Sequence, residues 1–162
     1  MPGFIQRLFA RKPGHRQPLV LAVTADLCFY SGVLNAACSA QWRTEWARTL
    51  NRAAEICRSK SPPIVIYDSD LPGTEWGRAF DQLSAVPNRP RILLAAPGID
   101  EELWRSVLRH HGYDVVERTA SSEQLGRAFR FAWLSLSAST NVGDAVAHAA
   151  AVGAGLRNRP AL

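Results

Sequence analysis

Pro63-Ile64-Val65-Ile66-Tyr67-Asp68-Ser69-Asp70-Leu71-Pro72-Gly73-Thr74 is the stretch on which the reading of this chain turns. Ile64 to Tyr67 is a short apolar run of β-branched and aromatic residues, the pattern of a parallel strand buried on both faces. Such a strand delivers Asp68 to its C-terminal end, where open α/β sheets place ligands and chemistry. Asp70 follows two residues later, and Pro72-Gly73 turns the chain. A carboxylate held there suits a phosphoryl acceptor, a metal ligand or a nucleophile. The plainer alternative is an acidic loop that caps the next helix, from Glu75 onward.

Outward from this stretch, strand and helix patterns alternate from Pro18 to about Ser137. Leu19 to Val23 reads as a first strand. Asp26 to Ala40 reads as a helix, with Leu27, Tyr30, Leu34 and Cys38 at helical spacing. Gln41 to Ala47 alternates, Trp42, Thr44 and Trp46 sharing one face, and reads as a second strand. Residues 49 to 59 repeat Leu50, Ala53, Ala54 and Cys57 as a helix, which Pro62-Pro63 stops. After the third strand come a helix from Glu75 to Leu83, a strand from Arg91 to Ala96 and a helix from Asp100 to His111. Gly112 is the expected cap at that helix's end, and Asp100-Glu101-Glu102 suit its positive start. A strand from Asp114 to Arg118 leads to a last helix, from Ser121 or Ser122 as N-cap to about Leu136. Five βα units in about 120 residues, joined by right-handed crossovers, fit a doubly wound sheet rather than an eight-stranded barrel. The expectation is an α/β, flavodoxin-like (βα)5 fold with five parallel strands ordered 2-1-3-4-5.

The flanks differ from this body. Residues 1–17 hold Arg7, Arg11, Lys12 and Arg16 without an acid, beside a short stripe of Phe4, Ile5, Leu8 and Phe9; Pro13-Gly14 ends it. They read as a basic N-terminal extension. Residues 138–162, rich in Ala and Gly, allow a helix over Asp144 to Val152 but have little bulk to bury and read as a flexible tail. The body, residues 18–137, has thirteen basic and thirteen acidic residues, so the whole net charge of +5 sits in the ends. A nucleic-acid reader carries its basic residues on the folded body, and that class is disfavoured. No uncharged apolar run of about 18 residues is present to span a membrane. Arg7, Arg11 and Lys12 break any signal-peptide core. Cys28, Cys38 and Cys57 lack disulfide or zinc spacing and read as reduced core residues of a cytoplasmic protein.

With five βα units and an Asp ending the third strand, the body resembles the receiver domains of two-component response regulators. Asp68-Ser69-Asp70-Leu71-Pro72-Gly73-Thr74-Glu75-Trp76 is similar to that family's D-x-x-M-P-G-x-D-G segment. Asp68 falls on the phosphoacceptor, Pro72-Gly73 on the turn and Glu75 on its usual Asp, while Gly77 is shifted by one. The family holds Mg²⁺ with two acids ending the first strand, where Thr24 and Ala25 stand here. Asp26, Asp68 and Asp70 are the carboxylates left for a weakened metal site. The hydroxyl that ends the family's fourth strand is replaced by Ala95-Ala96-Pro97. The phosphate-contacting Lys that ends its fifth strand aligns with Arg118, which keeps the charge on a planar fork.

The resemblance implies a degenerate, or pseudo-, receiver. It would be a stand-alone domain in phosphorelay signalling, not an enzyme. It would act by contact with a signalling protein, a histidine kinase or a downstream regulator, with Mg²⁺ weakly held and no other cofactor. A phosphorylation-independent adaptor is the alternative, with five tryptophans, Trp42, Trp46, Trp76, Trp104 and Trp133, as candidate contacts or as helix–sheet packing. Asp68-Ser69-Asp70 with Thr74 also resembles the D-x-D-x-T start of aspartyl phosphohydrolases of the haloacid-dehalogenase type. Thr74 is two residues too far on, however, and no lysine follows Lys60. His110-His111, adjacent on a helix, point too far apart to share a metal and read as a solvated helix end.

Overall fold

The computed structural model describes residues 17–155, with side chains as far as Ser139. The Phe4–Phe9 stripe and the Arg157–Leu162 end lie outside the described residues. Strands β1 (Leu19–Val23), β2 (Arg43–Ala47), β3 (Ile64–Asp68), β4 (Arg91–Ala96) and β5 (Asp114–Glu117) alternate with helices α1 (Leu27–Ser39), α2 (Leu50–Lys60), α3 (Trp76–Ser84), α4 (Glu101–Arg109) and α5 (Ser122–Gly155). All neighbours pair in parallel, in the order β2-β1-β3-β4-β5. This is the doubly wound (βα)5 topology that the sequence pattern predicts.

The three inner strands are apolar on both faces because helices cover both. Leu21, Val23, Val65, Tyr67, Ile92 and Leu94 meet α2, α3 and α4 through Ile56, Phe80 and Val107. Val20, Ala22, Ile64, Ile66 and Leu93 face the other way, onto Phe29 and Val33 of α1 and Leu125 and Phe129 of α5. Alternate residues of one strand thus feed two cores. The register sets Val23 beside Tyr67 and Asp68 beside Ala95, so the residue after β1, Thr24, arrives next to Asp68.

Helix α1 shows where apolar spacing misleads. Its buried face is Phe29, Val33, Ala36 and Ala37. The expected stripe is displaced from the core: Leu27 is 62% exposed and Cys38 lies outside. Large apolar residues surround this helix, and the choice falls to the small ones, since Ala36 and Gly126 let α1 and α5 approach closely. Cys28 is also exposed, so only Cys57 is the expected core thiol, and burial pushes its pKa up to about 11 against the opposing charge of Arg58.

Two helix ends carry further corrections. At α4 the left-handed residue is His111 (φ 64°), with Gly112 N–H donating to the Val107 carbonyl and His111 N–H to that of Leu108. This is a Schellman closure in which histidine takes the glycine's usual place. Gly112 is required for another reason: a Cβ there would stand 2.4 Å from Val107 Cγ1 and 2.8 Å from Phe80 Cε2. At the other end of the chain, α5 begins with a Ser121–Gln124 capping box and continues through Gly155 rather than ending near Leu136. Alanine-rich sequence needs no apolar partner to extend a helix already nucleated by packing.

The tryptophans mostly join helices to the sheet. Trp42 meets Phe129 and Trp133, Trp46 stacks on Tyr30 at 4.5 Å, and Trp76 meets Phe80 and His110, while Trp104 is exposed. His110 is tied to Asp81 of α3 at 3.1 Å. Among the described residues no helix is long and apolar enough to cross a membrane.

Gly112→Ala is expected to destabilise the domain by about 1–3 kcal/mol through overpacking. Gly98→Ala, where nothing lies within 4 Å of the added carbon, should change stability by about 0.5 kcal/mol or less. Urea unfolding of the two variants checks the contrast.

Candidate functional site

The C-terminal end of the sheet gathers Asp68, Asp70, Asp26 and Arg118 from three segments of chain. β3 carries Asp68 to its last position, where it is 1% exposed. The turn that follows is held by the Leu71 N–H on the Asp68 carbonyl and by buried Leu71, and Gly73 takes a φ of 103° that glycine tolerates. Within this turn the Asp70 N–H donates to Asp68 Oδ1 at 3.1 Å, a local side-chain-to-backbone closure. Asp26 starts α1, its Oδ1 accepting the N–H groups of Cys28 and Phe29. Arg118 follows β5 and is fixed there by its own N–H on the Ala96 carbonyl.

The guanidinium of Arg118 binds all three carboxylates. Its Nη2 donates to Asp26 Oδ2 at 2.9 Å and to Asp68 Oδ2 at 3.2 Å, and Nη1 donates to Asp70 Oδ2 at 2.8 Å. Asp68 is the buried member, whereas Asp26 and Asp70 are 40% and 53% exposed at the side chain. The energetic weight of the cluster therefore lies on Asp68: exposed ion pairs contribute little, and a buried carboxylate must be paired.

Thr24 completes the shell around Asp68. Its Oγ1 donates to Asp68 Oδ2 at 2.6 Å and accepts the Asp26 N–H at 3.0 Å, and its carbonyl receives the Trp46 indole N–H at 2.9 Å. Both carboxylate oxygens of Asp68 are thus engaged. Sequence reading counted Thr24 only as a missing acid. The signal that reveals it is positional: a hydroxyl one step past β1 abuts the end of β3 in a parallel pair. The side-chain hydroxyl on Asp68 thus comes from the β1 side, while β4 ends in Ala95-Ala96 and offers none.

Asp26, Asp68, Asp70 and Arg118, the residues singled out in the sequence, are brought together, but the three acids converge on a guanidinium rather than on an arrangement suited to Mg²⁺. Among the described residues no group of three or more His, Cys, Asp or Glu side chains is disposed to hold a metal ion. The residues present do not fit the divalent ion that the receiver resemblance implies, because Thr24 and Ala25 add no charge and Asp26 is committed to capping α1 and to Arg118. The acidic loop does not cap α3 either: Glu75 takes the N-cap position and makes no side-chain bond there. Neighbouring Tyr67 has a buried hydroxyl without a partner, and burial, with the charge of Asp68 second, pushes its pKa up to about 12. It remains a neutral phenol packed edge-on against Phe80.

No family model matches the chain, and no curated protein matches it in sequence. Solved structures match it in fold. The signal receiver domain of a putative LuxO repressor protein from Vibrio parahaemolyticus superposes with a TM-score of 0.71 at 14% identity, covering 78% of this chain and 98% of that one. The chemotaxis protein CheY4 of Vibrio cholerae gives 0.68 at 14% identity, covering 72% and 99%. A receiver domain from Bermanella marisrubri gives 0.62 at 18% identity, covering 71% and 97%. The protein is built on the CheY-like signal-receiver fold.

Thr24→Val is expected to cost about 1–3 kcal/mol, because buried Asp68 loses a donor and the Asp26 N–H loses an acceptor at constant side-chain volume. Thr24→Ser should recover most of it. Equal unfolding midpoints for wild type and Thr24→Val would show that Arg118 and the Asp70 N–H satisfy Asp68 without the hydroxyl.

Proposed function

We propose that this chain is a receiver-fold signalling domain that works by protein–protein contact, with Arg118 standing where a complete receiver holds its divalent ion. The observation that carries the reading is the single guanidinium bound to Asp26, Asp68 and Asp70. Phosphoryl transfer to a carboxylate depends on positioning and on neutralising charge around the transferred group. Asp68 is positioned as an acceptor, but its oxygens are bound to Thr24, Arg118 and the Asp70 N–H. A metal arriving there would have to displace the guanidinium from three carboxylates.

On this reading the domain is a binding module rather than an enzyme, it binds Mg²⁺ weakly, and its partners are signalling proteins, a histidine kinase or a downstream regulator, in the cytoplasm. The phosphohydrolase alternative has no support in the geometry, since Asp70 is held by Arg118 rather than free to act as a general acid. Between a phosphorelay component and a phosphorylation-independent adaptor, the engaged state of Asp68 favours the adaptor.

The test is titration with Mg²⁺, then with beryllofluoride or acetyl phosphate, followed by tryptophan fluorescence and intact-mass spectrometry. Wild type is expected to show no saturable Mg²⁺ response in the low millimolar range and no phosphoryl adduct. Arg118→Ala, which frees the three carboxylates, should bind Mg²⁺ at least about tenfold more tightly, a difference of roughly 1.4 kcal/mol. A phosphoryl adduct on wild type that Asp68→Asn abolishes would restore the phosphorelay reading.

A further inference from the structure

A basic row crosses the N-terminal edge of the sheet, the edge remote from Asp68. Arg43 opens β2, Arg58 and Lys60 fall in the last turn of α2, Arg89 lies in the α3–β4 connection and Arg109 ends α4. All five are exposed. In the strand order β2-β1-β3-β4-β5 they run from one side of the sheet to the other. The acids nearby are fewer and engaged: Asp81 holds His110, Glu45 holds Lys60, and Asp114 accepts the Val115 N–H. Among the described residues Arg43, Arg58, Arg89 and Arg109 form no ion pair. Acids gather at the opposite edge instead, in Asp26, Asp68 and Asp70 and in Asp100, Glu101 and Glu102 around the start of α4. The body is neutral in total, but its two edges differ in sign.

The N-terminal extension joins the sheet within this row. β1 is the second strand in the order, and the carbonyl of Pro18, just before it, accepts the Arg43 N–H at 2.9 Å. Residues 1–16 lie outside the described residues; their sequence carries Arg7, Arg11, Lys12 and Arg16 beside the apolar Phe4, Ile5, Leu8 and Phe9. Every charge in the extension has the sign of the edge to which it is attached. The extension and the row repel each other but attract the same anionic partner.

The apolar residues decide which partner. A nucleic acid offers Phe4 and Phe9 bases to stack on, but gives Ile5 and Leu8 nothing to enter. The boundary between headgroups and acyl chains takes all four. One short apolar anchor holds a bilayer only marginally, and a basic surface supplies the second attachment that makes the hold stable.

We propose that this protein docks on an anionic lipid surface, residues 4–9 entering the bilayer interface and the basic row facing the headgroups. Helix α5 sets the angle of approach. Ser139, bonded to Arg91 at the start of β4, stands near this edge, and the helix continues to Gly155 on the α1 side of the sheet. The contact therefore falls on the other layer, where Arg58, Arg89 and Arg109 stand beside α2, α3 and α4. In this orientation the acidic Asp68 edge points to water, away from headgroups that would repel it. Docking of this kind is independent of what Asp68 does.

The experiment is flotation of the full chain with vesicles of phosphatidylglycerol and phosphatidylcholine in equal parts, against vesicles of phosphatidylcholine alone, at about 0.1 M salt. Binding to the mixed vesicles is expected, about tenfold or more stronger than to the neutral ones, and falling steeply as salt rises. Phe4→Ser with Phe9→Ser should weaken it about tenfold or more. Arg58→Gln with Arg89→Gln should also weaken it about tenfold. Arg48→Gln with Arg78→Gln, the same change of charge at the opposite edge, should alter it less than about twofold, because that edge lies beyond the screening length. Absence of binding to the mixed vesicles overturns the proposal. So does binding that loss of Phe4 and Phe9 leaves unchanged, that Arg58→Gln with Arg89→Gln leaves unchanged, or that falls equally in both arginine pairs. Displacement of the vesicles by DNA or RNA at equal phosphate concentration overturns it too, since it places nucleic acid on the basic edge.

Discussion

A carboxylate with almost no access to water is the constraint around which this molecule is arranged. Asp68 ends the central strand of the sheet, where β1 and β4 flank it and helices cover both faces. An ionised group in such a place is penalised by several kcal/mol unless paired and hydrogen-bonded. The chain meets that demand from three directions: a hydroxyl one step past β1, an N–H from its own turn, and a guanidinium from beyond β5. The last must pass the end of β4 to arrive. β4 closes in Ala95-Ala96-Pro97-Gly98, without a long side chain, and arginine has the reach and the planar fork to serve Asp68 and its two neighbours together. The short side chains that end β4 and the arginine that follows β5 are therefore parts of one arrangement.

The parts of this fold that were legible in the sequence are those where burial is two-sided. Leu19–Val23, Ile64–Asp68 and Arg91–Ala96 read as strands because nothing polar interrupts them, and their spacing leaves room only for helical crossovers. The face of α1 was not legible, because Leu27, Phe29, Tyr30, Val33 and Leu34 encircle the helix and small residues decide the packing. The length of α5 was not legible either, because bulk, the cue used to end it, does not govern helix propagation. At the site, residue types pointed to Asp68, Asp70, Asp26 and Arg118, but not to which charges meet. That Arg118 binds all three acids is a fact of register between strands far apart in sequence. Thr24 escaped notice because a motif names what a position lacks, whereas geometry shows what stands there instead.

The two ends of the sheet also differ in how charge meets helix termini. At the Asp68 end, Asp26 and Asp100 cap the positive starts of α1 and α4, so part of the negative charge there is matched by backbone N–H groups. This eases the crowding of three carboxylates around one cation. At the other end α3 and α4 finish, and there His110, at the end of α4, is paired with Asp81 of α3.

A receiver that switches needs two states that differ in free energy by an amount the phosphoryl group and metal can reverse. On the proposed reading, Arg118 biases this domain strongly toward one of them. The guanidinium is tethered, so it pays no association entropy, and its hold on Asp68 is reinforced by Asp26 and Asp70. A divalent ion from solution would have to overcome all three contacts and would gain only three carboxylates, two of them already well solvated. The surface presented by such a domain is then set by its sequence rather than by its modification. Control over the pathway would pass to whether the partner is present and to any ligand that binds elsewhere on the same rigid sheet.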